Sequence, residues 1–167
     1  MKRDKVLYSL LSVGAIGAFL GHGMWAIDGK ESFVKLFSGS FDHVLGVTVS
    51  TGTATNWVKG IGWFDLAVSA VMLAMLIGAI QGQGALYRLA YSPVAIAIYA
   101  WGALWGFATA ASRVTAVGDF YPEVWDVVER APNFMLTAAL IYLVYQHRLD
   151  HRPTAATIES PRKEVRS

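Results

Sequence analysis

Apolar residues gather in four long stretches, at 6–27, 57–80, 92–111 and 132–145, with polar segments between them. Crossing the hydrocarbon core of a bilayer takes about 20 apolar residues in a helix. Three stretches reach that length, and the fourth reaches it if the residues before Pro132 are added. The pattern predicts an all-α, membrane-spanning four-helix bundle. Within the polar segments, Phe33, Leu36 and Phe37 share one side of a short helix over 31–37. Val124, Trp125 and Val128 do the same in the last polar segment, where Pro122 and Glu123 suit a helix start. Both segments read as short interfacial helices in the two outer loops. The Gly-, Thr- and Val-rich stretch 44–55 reads as extended or re-entrant backbone folded over the bundle mouth, with Thr55 or Asn56 capping the second span. The short connection 81–91 makes the second and third spans antiparallel neighbours, with Pro93 in the first turn of the third.

Composition agrees. Of 167 residues, 54% are hydrophobic and 16% charged, with mean hydropathy +0.42, against about a quarter charged in soluble domains. Residues 1–150 form one transmembrane domain, with no length left for a soluble catalytic module. Residues 151–167 carry mixed charge and two prolines and read as a disordered cytoplasmic tail. The start resembles a signal peptide but lacks a small-x-small cleavage pattern after a long apolar stretch, so it reads as a retained first span. Absence of cysteine excludes disulfides and thiolate chemistry.

Charge sets the orientation. Nine of the 14 basic residues lie at the N-terminus, in the second connection or in the tail: Lys2, Arg3, Lys5, Arg88, Arg148, Arg152, Arg162, Lys163 and Arg166. Seven of the 12 acids lie in the other two connections and the helix ends beside them. By the positive-inside rule both termini are cytoplasmic. Tyr8, Tyr87, Tyr91 and Tyr145 then mark the inner interface, and Trp25, Trp57 and Trp125 the outer one. The same rule accounts for the basic residues without nucleic acid, leaving membrane lipid as the expected surface partner. Small residues four apart, at Gly17 and Gly21 and at Gly102 and Gly106, mark faces for close helix packing.

Candidate chemistry is confined to one layer. Asp65 lies inside the second apolar stretch, where an ionisable residue points to a functional site. His22, Arg113, Glu129, Arg130 and Asn133 fall at comparable depth on the other spans. An isolated charge at that depth costs on the order of 3 kcal/mol, so these groups are expected to meet. They read either as a polar staple fixing helix register, as a ligand or quinone headgroup pocket, or as a metal site. Trp101 and Trp105, four apart on the third span, read as pocket lining or as packed core. Haem is disfavoured, because His22 and His147 lie near opposite faces and His43 reaches His22 only if the first loop folds inward. His147 and His151 have metal-ligand spacing on a helix but sit at a solvated, basic helix end. No phosphate-binding loop, zinc-peptidase helix or serine-nucleophile elbow is present, so no metal ligand or catalytic residue is assigned.

Three segments resemble the DoxX-like family of small integral membrane proteins: Phe19-Leu20-Gly21-His22-Gly23, Gly60-Ile61-Gly62-Trp63-Phe64-Asp65, and Glu129-Arg130-Ala131-Pro132-Asn133-Phe134. The last is similar to a Glu-Arg-Ala-Gly-Asn motif, with Pro132 where that motif has glycine. The resemblance implies a four-helix membrane protein associated with respiratory or other membrane redox assemblies. The expected role is therefore an accessory subunit of a redox complex, packed against partner helices or a second copy and helping to shape a quinone site. The expected location is the plasma (inner) membrane of a bacterium or archaeon. The alternative is a small-molecule transporter or receptor with a pocket in the outer half.

Overall fold

The computed structural model of the protein describes residues 2–117 and 124–151. The tail expected to be disordered, apart from His151, and the Pro122–Glu123 helix start lie outside them. The described residues form helices and no strands: α1 (Lys2–Ile27), α2 (Glu31–Leu45), α3 (Thr51–Gln81), α4 (Gly84–Ala90), α5 (Pro93–Thr115), α6 (Val124–Glu129) and α7 (Ala131–Asp150). Four segments are long and apolar enough to cross a membrane: α1 from Asp4, α3, α5, and α6 with α7. The chain is therefore read as a multi-pass membrane protein.

Two boundaries differ from the sequence reading. The second span begins at Thr51, not after Thr55 or Asn56, because Ser50 is its N-cap, with Oγ accepting from the Thr53 N–H at 3.2 Å. Its 31 residues rise about 46 Å. The first polar segment holds a full helix through Leu45, ended by Gly46 in the left-handed conformation (φ 65°). Only 46–50 remain non-helical in the stretch read as extended or re-entrant. On α2 the Lys35 ammonium lies 2.7 Å from Glu31 and holds that exposed carboxyl below its ordinary range.

Packing is uneven around the bundle. α1 lies between α3 and α7, and α7 packs against α5. The α1–α3 crossing is close because both helices are glycine there: a Cβ on Gly62 would stand 2.7 Å from the Gly23 carbonyl oxygen. Gly102 and Gly106 likewise seat α7, at Thr137 and at the Asn133 backbone. Gly17 and Gly21 behave differently, since a Cβ at either would meet nothing within 4 Å. The core beneath is Tyr8, Phe19, Val68, Met72, Met75, Tyr99, Leu140 and Val144. Tyr8 and Tyr99 share a buried hydroxyl hydrogen bond of 2.7 Å between α1 and α5.

The second and third spans are consecutive in the chain yet touch little. At the end where the chain turns between them, α4 sits against α3, with Gly78 under the Leu86–Tyr87 backbone. At the opposite end, where α1 and α5 finish, α2 bridges α3 and α5. Ser40 Oγ lies 2.8 Å from Thr115 Oγ1, and Gly39 abuts Ala116. Between these two bridges α3 and α5 stand apart. The end covered by α2 is called the upper end below.

Candidate functional site

Under α2 lies a cavity of about 290 Å³. Its roof is the apolar side of α2, where Phe33, Phe37 and Phe41 recur every fourth residue and Leu36 and Ser40 fill the flank. Helical spacing of 3.6 residues per turn puts these residues on one stripe. The stripe faces inward because Val34 packs with Ala26, Ala54 and Val58 at the tops of α1 and α3. The walls come from His22 and Ala26 on α1, Val58, Ile61 and Asp65 on α3, and Trp105, Thr109, Ser112 and Arg113 on α5, with Arg130 preceding α7.

Asp65 is the notable group. It is only 2% exposed, on the turn below the Gly62–Gly23 contact. Its Oδ1 has no hydrogen-bond partner. Trp105 stands on the same cavity wall, and the Asp65 main-chain carbonyl accepts from Ser69 Oγ at 2.9 Å. A buried polar atom without a partner costs about 1–3 kcal/mol, so the fold carries this group at a cost that local packing does not offset.

The other candidate residues divide into two groups. His22, Arg113 and Arg130 line the same cavity as Asp65, and the three cations Arg113, Arg130 and Lys30 bear electrostatically on the His22 ring. His22 also meets Phe33, ring centroid to centroid 5.8 Å. Glu129 and Asn133 face a separate cleft of about 350 Å³ between α1 and the start of α7, which His22 and Arg130 border from the other side. That cleft includes the open Gly17 and Gly21. Arg130 thus stands between cavity and cleft, its Nε without a hydrogen bond among the described residues. No ion pair joining Asp65 to a guanidinium is present among the described residues. Of the groups expected to meet, Asp65, His22, Arg113 and Arg130 stand around one shared space.

Trp101 and Trp105 stack with ring centroids 6.0 Å apart and planes 5° from parallel. Trp105 borders the cavity, and both line an open groove of about 510 Å³ between α3 and α5. His43 is exposed and directed to its own helix, Nδ1 lying 2.9 Å from the Gly39 carbonyl oxygen. His147 and His151 lie at the lower end, where His147 Nε2 is 3.1 Å from the Tyr87 hydroxyl and its ring stacks on Tyr91 at 3.8 Å. No cluster of three or more His, Asp or Glu side chains placed to hold a metal occurs among the described residues.

Sequence reasoning missed the roof. Phe41 extends the Phe33–Phe37 stripe by one more turn, and that signal was present in the spacing. Thr109 and Ser112 were hidden because each also hydrogen-bonds a carbonyl of its own helix, as such residues commonly do in apolar spans. In comparisons with known proteins, no family, no curated protein and no solved structure matches the chain.

Proposed function

We propose that this chain is an accessory subunit of a respiratory or other membrane redox complex, and that its cavity receives the headgroup of a small amphipathic ligand, with a quinone as the best fit. In this reading both termini face the cytoplasm, and α2 and α6 lie at the outer interface of a bacterial or archaeal plasma membrane. The observation that carries the proposal is the buried Asp65 carboxyl oxygen, unpartnered at the wall of a cavity lined mainly by aromatic and aliphatic side chains. Pockets of this kind, apolar with a few placed polar groups, are typical ligand sites.

A bound quinone supplies carbonyl oxygens and reversible electron and proton uptake at a flat ring. The residues present suit such a ring. Phe33, Phe37, Phe41 and Trp105 offer apolar faces. Arg113, Arg130 and His22 offer donors for carbonyl oxygens, and Asp65 Oδ1 accepts from a ring hydroxyl. The DoxX-like segments contribute His22, Asp65, Arg130 and Asn133 to this half of the bundle, in line with the family resemblance. The open Gly17–Gly21 face supports the subunit role, because small residues with nothing against them leave room for another helix.

Purification of the full chain from its native membrane, with mass spectrometry of co-isolated lipids and proteins, tests both parts. A quinone in near-stoichiometric amount together with partner subunits is the expected result. A lone protein that carries no quinone and binds none saturably would overturn the proposal. The second reading, a transporter or receptor for a small molecule, is favoured by the cationic side chains around the cavity. It predicts saturable binding of a water-soluble ligand by the isolated protein, and transport by four spans would need an oligomer.

A further inference from the structure

We infer that the site is loaded sideways, from the lipid: the α3–α5 groove is the passage and resting place of a long apolar tail, so the ligand is a membrane-dissolved amphiphile and not a solute from water. The inference rests on the ligand-binding reading above and adds the route and the tail.

Three observations carry it. First, cavity and groove share a wall. Ile61, Asp65 and Trp105 line both, so Asp65, its Oδ1 without a hydrogen bond, stands on the wall the two spaces share. Second, α2 covers the upper end of the cavity. α2 lies across the cavity, with Phe33, Phe37 and Phe41 beneath it, fastened to α3 through Val34 and Val58 and to α5 through Ser40 and Thr115. Third, α3 and α5 touch little along this stretch, and the groove between them is walled by Trp57, Phe64 and Trp101. Phe64 and Trp101 meet edge to face at 5.4 Å and form its floor below Gly60, beside which a Cβ would meet nothing within 4 Å. A tail lying past Gly60 keeps its head within reach of Asp65, a little over one helical turn further on.

A tail gains little by leaving lipid for an apolar groove, since both are hydrocarbon. The groove therefore acts by admitting the tail, and filling it excludes the tail while leaving the head pocket intact. Gly60→Phe performs that filling at a position with open space. The full chain in nanodiscs is given two radiolabelled probes, a benzoquinone bearing a decyl chain and the same ring bearing methyl instead, and saturable binding is measured. Wild type binds both. Gly60→Phe is expected to weaken the decyl probe at least tenfold and to leave the methyl probe within twofold. Ile80→Phe, at an exposed position near the lower end of α3, leaves both within twofold.

Equal binding of the decyl probe by wild type and Gly60→Phe would overturn the inference and leave the binding reading standing. So would parallel loss of both probes. No saturable binding of either probe by wild type would remove both proposals. A decyl probe with a photoreactive terminal carbon provides a measurement on unmodified protein. Labelling on 57–64 of α3 or on Trp101 is expected, and labelling on α1 and α7 instead would overturn the inference.

Discussion

Replacement of Asp65 by leucine separates a structural carboxyl from one held for a ligand. In the ligand-free protein Oδ1 is buried without a partner, at a cost of about 1–3 kcal/mol. Leucine removes that cost, and the cavity beside it leaves room for the larger side chain. The net expectation for Asp65→Leu is a ligand-free protein more stable by about 1 kcal/mol, which in a chain of this size raises Tm by about 2–4 °C. Binding of a benzoquinol probe should fall at least tenfold in the same variant, because the acceptor for its ring hydroxyl is gone. Asp65→Asn keeps one side-chain oxygen and should lie between wild type and Asp65→Leu in both readouts. Thermal unfolding in detergent, followed by far-UV circular dichroism beside probe binding, reads both effects on one sample. A Tm several degrees lower in ligand-free Asp65→Leu would refute the reasoning, since it would mean that the carboxyl holds the helices together.

Three further outcomes follow from the packing. Tyr8→Phe strands the Tyr99 hydroxyl in the core and should cost about 1–3 kcal/mol, read as a lower denaturation midpoint. The Tyr8→Phe/Tyr99→Phe double variant should recover part of the loss. Gly62→Ala places a methyl against the Gly23 carbonyl and the Ile27 N–H and should cost about 1–3 kcal/mol, with Gly60→Ala close to neutral as its comparison in the same melt. Tyr91 lies between the second and third spans, and burial, aided by Tyr87, Tyr99 and Asp4, pushes its hydroxyl up to about 12. The unfolded chain loses this proton near pH 10, before the folded protein does. Stability should therefore fall as pH rises from about 10 to about 12, by about 1–2 kcal/mol once partial solvent exposure is allowed for. Tyr91→Phe should flatten that part of the pH profile.

Much of the fold was legible because a bilayer demands long apolar runs and this chain supplies four. Details set by local hydrogen bonding were less visible. Thr51–Asn56 looked like loop because they are small and polar, yet the Ser50 cap starts the helix ahead of them. α4 has only seven residues, after the Gly82–Gln83 turn, and left no periodic signal. The partial gathering of the site followed from depth: His22, Asp65, Arg113 and Arg130 all fall in the upper part of the bundle and border one cavity, although Asp65 lies well down α3 and Arg130 caps α7. Which helices pair is a different matter. A short connection suggested that α3 lies along α5, but the glycine contacts hold α3 to α1 and α5 to α7. The gap left between α3 and α5 is therefore a property of side-chain size on the other faces, which no apolar pattern encodes.

The length of α3 reaches beyond the protein itself. Its 31 residues rise about 46 Å, whereas the hydrocarbon slab is about 30 Å thick. The polar start up to Asn56 can stand among headgroups and absorbs about 9 Å of the surplus. The remainder is taken up by lean of the helix or by local swelling of the lipid. Few contacts join α3 to α5 along their length, so a change in the lean of α3 with bilayer thickness changes the gap between the two helices. Acyl-chain length in the surrounding membrane then becomes a dial on the width of the opening.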